Sequence, residues 1–160
     1  MESKCPRRKN LRLRHYAYDS DGYYFVTICA AHKKPLIGQY KEIVERFLFD
    51  LVQRFPGLEL DYYTLMDDHL HVILSFKNVK VHLGEVIRTF KALVKRESGE
   101  REFWQRNYYE HVIRNEEALN SIREYIRNNP TIERIRFEEF YQRGAMGRDQ
   151  SRPYRGKDVM

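Results

Sequence analysis

The chain has 160 residues, enough for one domain with tails. Its 12 Tyr, 9 Phe and one Trp exclude a disordered chain, and no apolar run approaches the ~20 residues of a membrane span. The net charge of +6 is unevenly spread: residues 1–15 hold six basic residues and one acidic, residues 141–160 hold five and two, and the middle is left slightly negative. Basic tails on a near-neutral domain point to a polyanion partner, with tails that merely aid solubility as the plain alternative. The first ten residues contain no apolar signal region, so a cytoplasmic protein is expected. Cys5 and Cys29 are too few for a disulfide framework and are expected as two unpaired thiols of a reducing compartment.

Taken in chain order, Gly22–Ala30 is rich in aromatic and β-branched residues and reads as a first strand. Lys41–Phe55 reads as helix A, with Ile43, Phe47 and Leu51 on one face, Leu48 beside them, and Pro56-Gly57 as its stop. Leu58–Met66 and His69–Phe76 read as two strands joined at Asp67-Asp68, a turn expected to be solvated. Helix B spans His82–Arg96. Its apolar stripe is Leu83, Ile87, Phe90 and Val94, and Arg88, Lys91 and Lys95 form a basic stripe alongside. Phe103–Ile113 reads as a fourth strand, irregular at Gln105–Asn107, with Trp104 assigned to the core. Asn115 offers an N-cap to helix C, Glu116 and Glu117 suit its first turn, and the helix stops before Pro130. Residues beyond about 143, with Gly144, Gly147, Pro153 and Gly156, read as a flexible tail.

The order β-α-β-β-α-β-α begins as a split βαβ arrangement. The fold expected is α+β: a ferredoxin-like antiparallel sheet with two helices on one face and a C-terminal helix free to cover the other. Three segments follow: a basic arm over 1–15, a folded domain over 16–140, and a basic flexible tail over 141–160.

The sharpest local pattern is His69-Leu70-His71 on a strand. Alternation places both imidazoles on one face, where two rings about 7 Å apart along a strand can converge on one divalent ion. Six histidines in a chain of this length make an H-x-H pattern a weak signal by itself. On helix C, Tyr125 and Asn129 are four residues apart and share a face. They lie beside the apolar stripe of Leu119, Ile122 and Ile126, while Arg123, Glu124 and Arg127 point away.

Together, Leu65-Met-Asp-Asp-His-Leu-His-Val-Ile-Leu74 and Tyr125-Ile-Arg-Asn-Asn-Pro130 resemble the single-tyrosine HUH transposases, and within them the REP-associated tyrosine transposases. Gly22–Thr27, the helix around Phe90-Lys91 and Trp104–Arg114 add to the likeness, which covers roughly residues 20–130. The resemblance implies that His69, His71 and Asn129 hold a Mg²⁺ or Mn²⁺ ion and that Tyr125 is the nucleophile. Insertion-sequence relatives usually have Gln where Asn129 stands, and often Pro where Asp67 stands.

The implied activity is that of a DNA strand transferase, nicking and rejoining single-stranded DNA beside a hairpin, such as a REP palindrome, through a 5′-phosphotyrosine. Arg7, Arg8, Lys9, Arg12 and Arg14, with Arg88, Lys91 and Lys95, are the candidate DNA-binding residues. Adjacent tyrosines at 23/24, 62/63 and 108/109 would each put one ring on each sheet face, where half could stack on bases. No G-x-x-x-x-G-K-[ST] loop is present, so no nucleotide cofactor is expected. A monomer and a homodimer are both compatible with the resemblance, as are a housekeeping and a self-mobile role. The alternative reading is a non-catalytic nucleic-acid-binding module on a ferredoxin-like fold. A zinc deaminase is excluded, because neither H-x-E nor P-C-x-x-C occurs. His15, His32, His82, Glu110 and His111 receive no role.

Overall fold

The computed structural model describes residues 21–129 together with Thr131 and Tyr141. Arg7, Arg8, Lys9, Arg12 and Arg14 lie outside the described residues, as does the tail over 141–160 apart from Tyr141. The strands are β1 (Gly22–Cys29), β2 (Leu58–Leu65), β3 (His69–Phe76) and β4 (Tyr109–Ile113). They form one antiparallel sheet in the order β2-β3-β1-β4. The helices are α1 (Leu36–Gln39), α2 (Lys41–Arg54), α3 (Leu83–Ser98) and α4 (Glu116–Asn128). This is the expected α+β fold. The short α1 and a 3₁₀ turn at Ala31–Lys33 carry no periodic pattern and were not foreseen.

Alternation along β1 divides the protein into two layers. Tyr24, Val26 and Ile28 face α2 and α3, joining Leu70, Val72 and Leu74 of β3 and the buried Leu83, Ile87, Phe90 and Val94 of α3 in one core. From α2 the fully buried residues are Val44, Leu48 and Leu51, whereas Ile43 and Phe47 are only half-buried, so the helix is rotated slightly from the face its spacing suggested. Phe25, Ile73 and Ile113 face the opposite way. Leu119, Ile122 and Ile126 of α4 cover them, forming a second, smaller core. Burying side chains of this size contributes about 1.5–3 kcal/mol each, enough to hold a single amphipathic helix on the sheet.

Two breaks in regularity shape the sheet. The fourth strand is shorter than its apolar pattern: regular pairing covers only Tyr109–Ile113, and Trp104 makes an isolated bridge to Ala30. Trp104 is half-buried, stacks near Phe103 and Phe90, and donates its indole N–H to the Lys91 carbonyl at 3.1 Å. In β2 the register to β3 shifts between Leu60 and Tyr62. That irregularity inverts the alternation, so Leu58 and Leu60 before it, and Tyr63 and Leu65 after it, all face the larger core. Between α2 and β2, Gly57 has φ +91°, and a Cβ there would collide with the Lys77 carbonyl, so the turn requires glycine.

Cys29 corrects an expectation. It is buried and disulfide-bonded, and no free cysteine occurs among the described residues. The sequence has one other cysteine, Cys5, which lies outside the described residues.

Asn115 caps α4 as its sequence position predicts: its side-chain oxygen accepts from the Ala118 N–H at 2.7 Å. Asn115→Ala should lower stability by about 1 kcal/mol. In thermal unfolding that appears as a fall of roughly 2–4 °C. Asn115→Ser should recover most of it, and an unshifted melting curve for the alanine variant would show that the cap contributes nothing.

Candidate active site

His69 and His71 stand on the sheet face covered by α4, 3% and 1% exposed, with ring centroids 5.0 Å apart and planes at 69°. The strand register explains their setting. His71 pairs with Thr27 of β1 and with Thr64 of β2, and Thr27 pairs onward with Tyr109, so these four residues form one row across the sheet. His69 pairs with Cys29 at the end of β1. A buried imidazole costs stability unless its polar atoms are satisfied. His71 Nδ1 lies 2.8 Å from the Thr27 hydroxyl, and His69 Nδ1 lies 2.8 Å from an Asp68 carboxylate oxygen. Nδ1 of each ring is thus engaged within the fold. Phe25 stacks on His71 at 5.4 Å and sets the floor of the site beside the smaller core.

Tyr125 occupies the last turns of α4, half-buried against the Phe25, Ile73 and Ile113 cluster and over the same sheet face. Asn129 ends that helix. Both its backbone N–H and its side-chain Nδ2 donate to the Tyr125 carbonyl, at 2.9 and 3.0 Å. The side-chain amide is thereby tied to the tyrosine's own turn, with Oδ1 as its acceptor atom. Among the described residues no group of three or more His, Cys, Asp or Glu is arranged to hold a metal ion.

Three residues stand where the sequence did not place them. Arg123, expected in solvent, reaches across to β2 and makes a two-pronged pair with Asp61, with its Nε 2.8 Å from Oδ2. That pair raises the Arg123 pKa and pins α4 to the irregularity of β2. Lys91 leaves the basic stripe: Nζ donates to the Gln105 carbonyl at 2.8 Å and sits over the Tyr108 ring, whereas Arg88 and Lys95 are exposed. Asp68 is half-buried against His69 rather than solvated, while Asp67 is exposed.

Glu110 and His111 separate by strand parity. Glu110 is 2% exposed and shares the face of its partner Val26, toward α2 and α3 and away from the histidine pair. Its two-residue offset from Val112 was the sequence signal for that placement. His111 faces the α4 side. The tyrosine pairs divide as foreseen: Tyr24, Tyr63 and Tyr108 belong to the larger core, and Tyr23, Tyr62 and Tyr109 flank α4.

A histidine pair on a strand, facing a helix that carries a tyrosine, places the chain among single-tyrosine transposases. The family described as "Transposase IS200 like" matches residues 18–129, and the chain belongs to it. A protein of Haemophilus influenzae, itself uncharacterized, is 32% identical over 78% of this chain and 89% of its own length. Among solved structures, a REP-associated tyrosine transposase bound to a REP hairpin is similar with a TM-score of 0.65 at 21% identity, covering 74% of this chain and 71% of that one. A putative transposase of Deinococcus radiodurans is similar with a TM-score of 0.51 at 19% identity, covering 73% and 95%. Both share the fold. No helix among the described residues is long and apolar enough to cross a membrane.

His111 gives this face a pH dependence. Its Nε2 lies 2.8 Å from the Tyr141 hydroxyl. Burial, with the Arg114 charge nearby, lowers its pKa from 6.5 to about 3, and burial pushes Tyr141 up to about 12. Tyr141, the first residue of the segment read as a basic tail, packs at the edge of the smaller core. A depressed histidine pKa contributes stability that is present above the unfolded value and lost as pH falls toward the folded one. Urea unfolding between pH 7 and 4 should show stability declining below about 6.5, by up to about 1.4 kcal/mol per pH unit from this group. In His111→Gln that part of the slope should be missing.

Proposed function

We propose that this transposase-family protein cuts and rejoins single-stranded DNA beside a hairpin, with Tyr125 as the nucleophile. The observation that carries the reading is a buried, hydrogen-bonded histidine pair on the same sheet face as a helix-borne tyrosine. The Tyr125 oxygen attacks a backbone phosphorus. An O–P bond forms as the bond from phosphorus to the 3′ oxygen breaks. The phosphate stays on the tyrosine as a 5′-phosphotyrosine, and the 3′ oxygen leaves as a hydroxyl with the proton that the tyrosine gave up. Because the ester bond is conserved, the reverse attack by a 3′-hydroxyl rejoins the strand without a nucleotide cofactor.

The residues present fit a Mg²⁺ or Mn²⁺ ion. Two neutral imidazoles and one amide oxygen, from His69, His71 and Asn129, leave positions for water and phosphate oxygens, and this mixed set suits Mn²⁺ better than Mg²⁺. Such an ion, when bound, polarises the scissile phosphate and offsets its developing charge. The chain's own groups do the positioning: the α4 packing holds Tyr125 over the sheet, and Asn129 braces the turn below it. DNA affinity is assigned to exposed Arg88 and Lys95 and to the basic arm with Arg7, Arg8, Lys9, Arg12 and Arg14. The hairpin is the kind of substrate bound by the structurally similar REP-associated transposase.

Tyr125→Phe keeps the ring and its packing and removes only the attacking oxygen. Labelled hairpin DNA with a single-stranded flank, incubated with Mn²⁺, should give a denaturation-resistant adduct with the wild type, none with Tyr125→Phe, and none in EDTA. An adduct of normal yield from the variant places the nucleophile elsewhere. Tight hairpin binding with no cleavage under any metal supports the binding-module reading instead.

The arm is tested by salt. Each contact to a single-stranded phosphate contributes about −0.7 to the slope of log affinity against log salt. Deleting residues 1–15 removes six basic residues. If about half of them touch phosphates, the slope should become shallower by about 2. An unchanged slope would make the arm a solubility tail.

A further inference from the structure

We infer that Asp68 and Thr27 are positioning residues that preset the two imidazoles for a divalent ion, and that they do so unequally. This rests on the reading of His69 and His71 as metal ligands. Ligating through Nε2 requires that atom to hold the lone pair, so Nδ1 must carry the proton. For His69 the choice is made in advance. An ionised carboxylate can only accept, so Asp68, 2.8 Å from Nδ1, holds the proton there and fixes the tautomer. For His71 the Thr27 bond makes no such choice. The Thr27 hydroxyl, also at 2.8 Å, can donate to Nδ1 or accept from it, so it orients the ring without selecting the tautomer.

The turn that carries Asp68 is built to hold still. The Asp68 carbonyl accepts from Ala30 N–H at 2.8 Å. The Asp67 carbonyl accepts from Ile37 and Gly38 N–H at 3.0 and 3.2 Å, and Met66 N–H donates to the His69 carbonyl at 2.8 Å. Gly38 is pressed against this turn: a Cβ there would overlap the Asp67 carboxylate and stand 3.3 Å from its Cα. The end of β1 and the short α1 therefore clamp both aspartates from one side, and only the carboxylate of Asp68 is turned to the histidine. Thr27 is held more simply, fully buried in the middle of β1 and in direct register with His71.

The inequality makes a prediction that a merely structural role does not. Asn at position 68 fills the same space, but its NH₂ can donate to Nδ1 and stabilise the tautomer that presents a proton at Nε2. Asp68→Asn should therefore bind metal no better than Asp68→Ala. At Thr27, by contrast, the conservative Thr27→Ser should restore what Thr27→Val loses.

The test is a Mn²⁺ titration of the full chain without DNA at one fixed pH. Free Mn²⁺ is read by electron paramagnetic resonance, and the metal-induced rise in melting temperature is measured in parallel. Asp68→Asn and Asp68→Ala should each weaken Mn²⁺ about 10–100-fold. Thr27→Val should weaken it less, Thr27→Ser should match the wild type, and the metal-free melting temperature of Asp68→Asn should be close to that of the wild type. Wild-type Mn²⁺ affinity in both Asp68→Asn and Thr27→Val overturns the inference and leaves the metal site standing. Restored affinity in Asp68→Asn but not in Asp68→Ala overturns the tautomer argument. A wild-type chain that takes up no Mn²⁺ at millimolar concentration overturns the metal reading itself, and this inference with it.

Discussion

The antiparallel pairing of β1 with β3 sets the positions on which the rest depends. In its register, Thr27 lies opposite His71 and Cys29 opposite His69. Because side chains alternate across a strand, the same pairing sends Tyr24, Val26, Leu70 and Val72 to the other face. A slip by one residue would exchange the two sets, moving both imidazoles under α3 and the aliphatic residues toward α4. Register is strongly specified here because both faces are covered and each demands its own chemistry.

The two layers divide the work. The larger one, under α2 and α3, is a conventional apolar core, and the buried carboxylate of Glu110 is turned away from the histidine pair. The smaller layer under α4 is a thin apolar floor of Phe25, Ile73 and Ile113. Beyond that floor the sheet becomes polar, where Thr27, His69 and His71 occupy positions that an ordinary strand would fill with Val or Ile. Such groups are kept only if their hydrogen bonds are made, and here each ring has a partner from a different element: β1 for His71 and the turn before β3 for His69.

Helix α4 carries Tyr125, the proposed nucleophile, and several contacts fix how it lies on the sheet. Its apolar stripe fixes rotation about its own axis, Asn115 fixes where it starts, and Asn129 closes its end. The Arg123 and Asp61 pair ties it to β2 at the point where that strand leaves regular register. A partly buried pair of this kind contributes modest stability. Its geometric role is larger, because two parallel bonds between a planar guanidinium and a carboxylate define direction as well as distance. The chain belongs to the IS200-like transposase family and shares its fold with a REP-associated tyrosine transposase whose structure holds a REP hairpin.

Much of this was determined by sequence alone, because it depends on local periodicity. The bounds of β3, the stripes of α3 and α4, the common face of His69 and His71 and the one-per-face tyrosine pairs follow from periods of 2 and 3.6 residues, and the Asn115 cap follows from the capping chemistry of its side chain. What only the tertiary structure decided involves residues far apart in the chain. The irregularity at Leu60–Tyr62 inverts the parity of β2 and brings Thr64 opposite His71, and nothing in the run Leu-Asp-Tyr announces it. Arg123 lies 62 residues from Asp61, and Lys91 lies 14 from the carbonyl it satisfies. Thr27 is separated from His71 by 44 residues. Asp68 adjoins His69 in sequence, yet it meets the ring only because β1 and α1 clamp its turn. Hydrogen bonds to buried groups are satisfied by whichever element the fold brings near, and that choice leaves no period in the sequence to read.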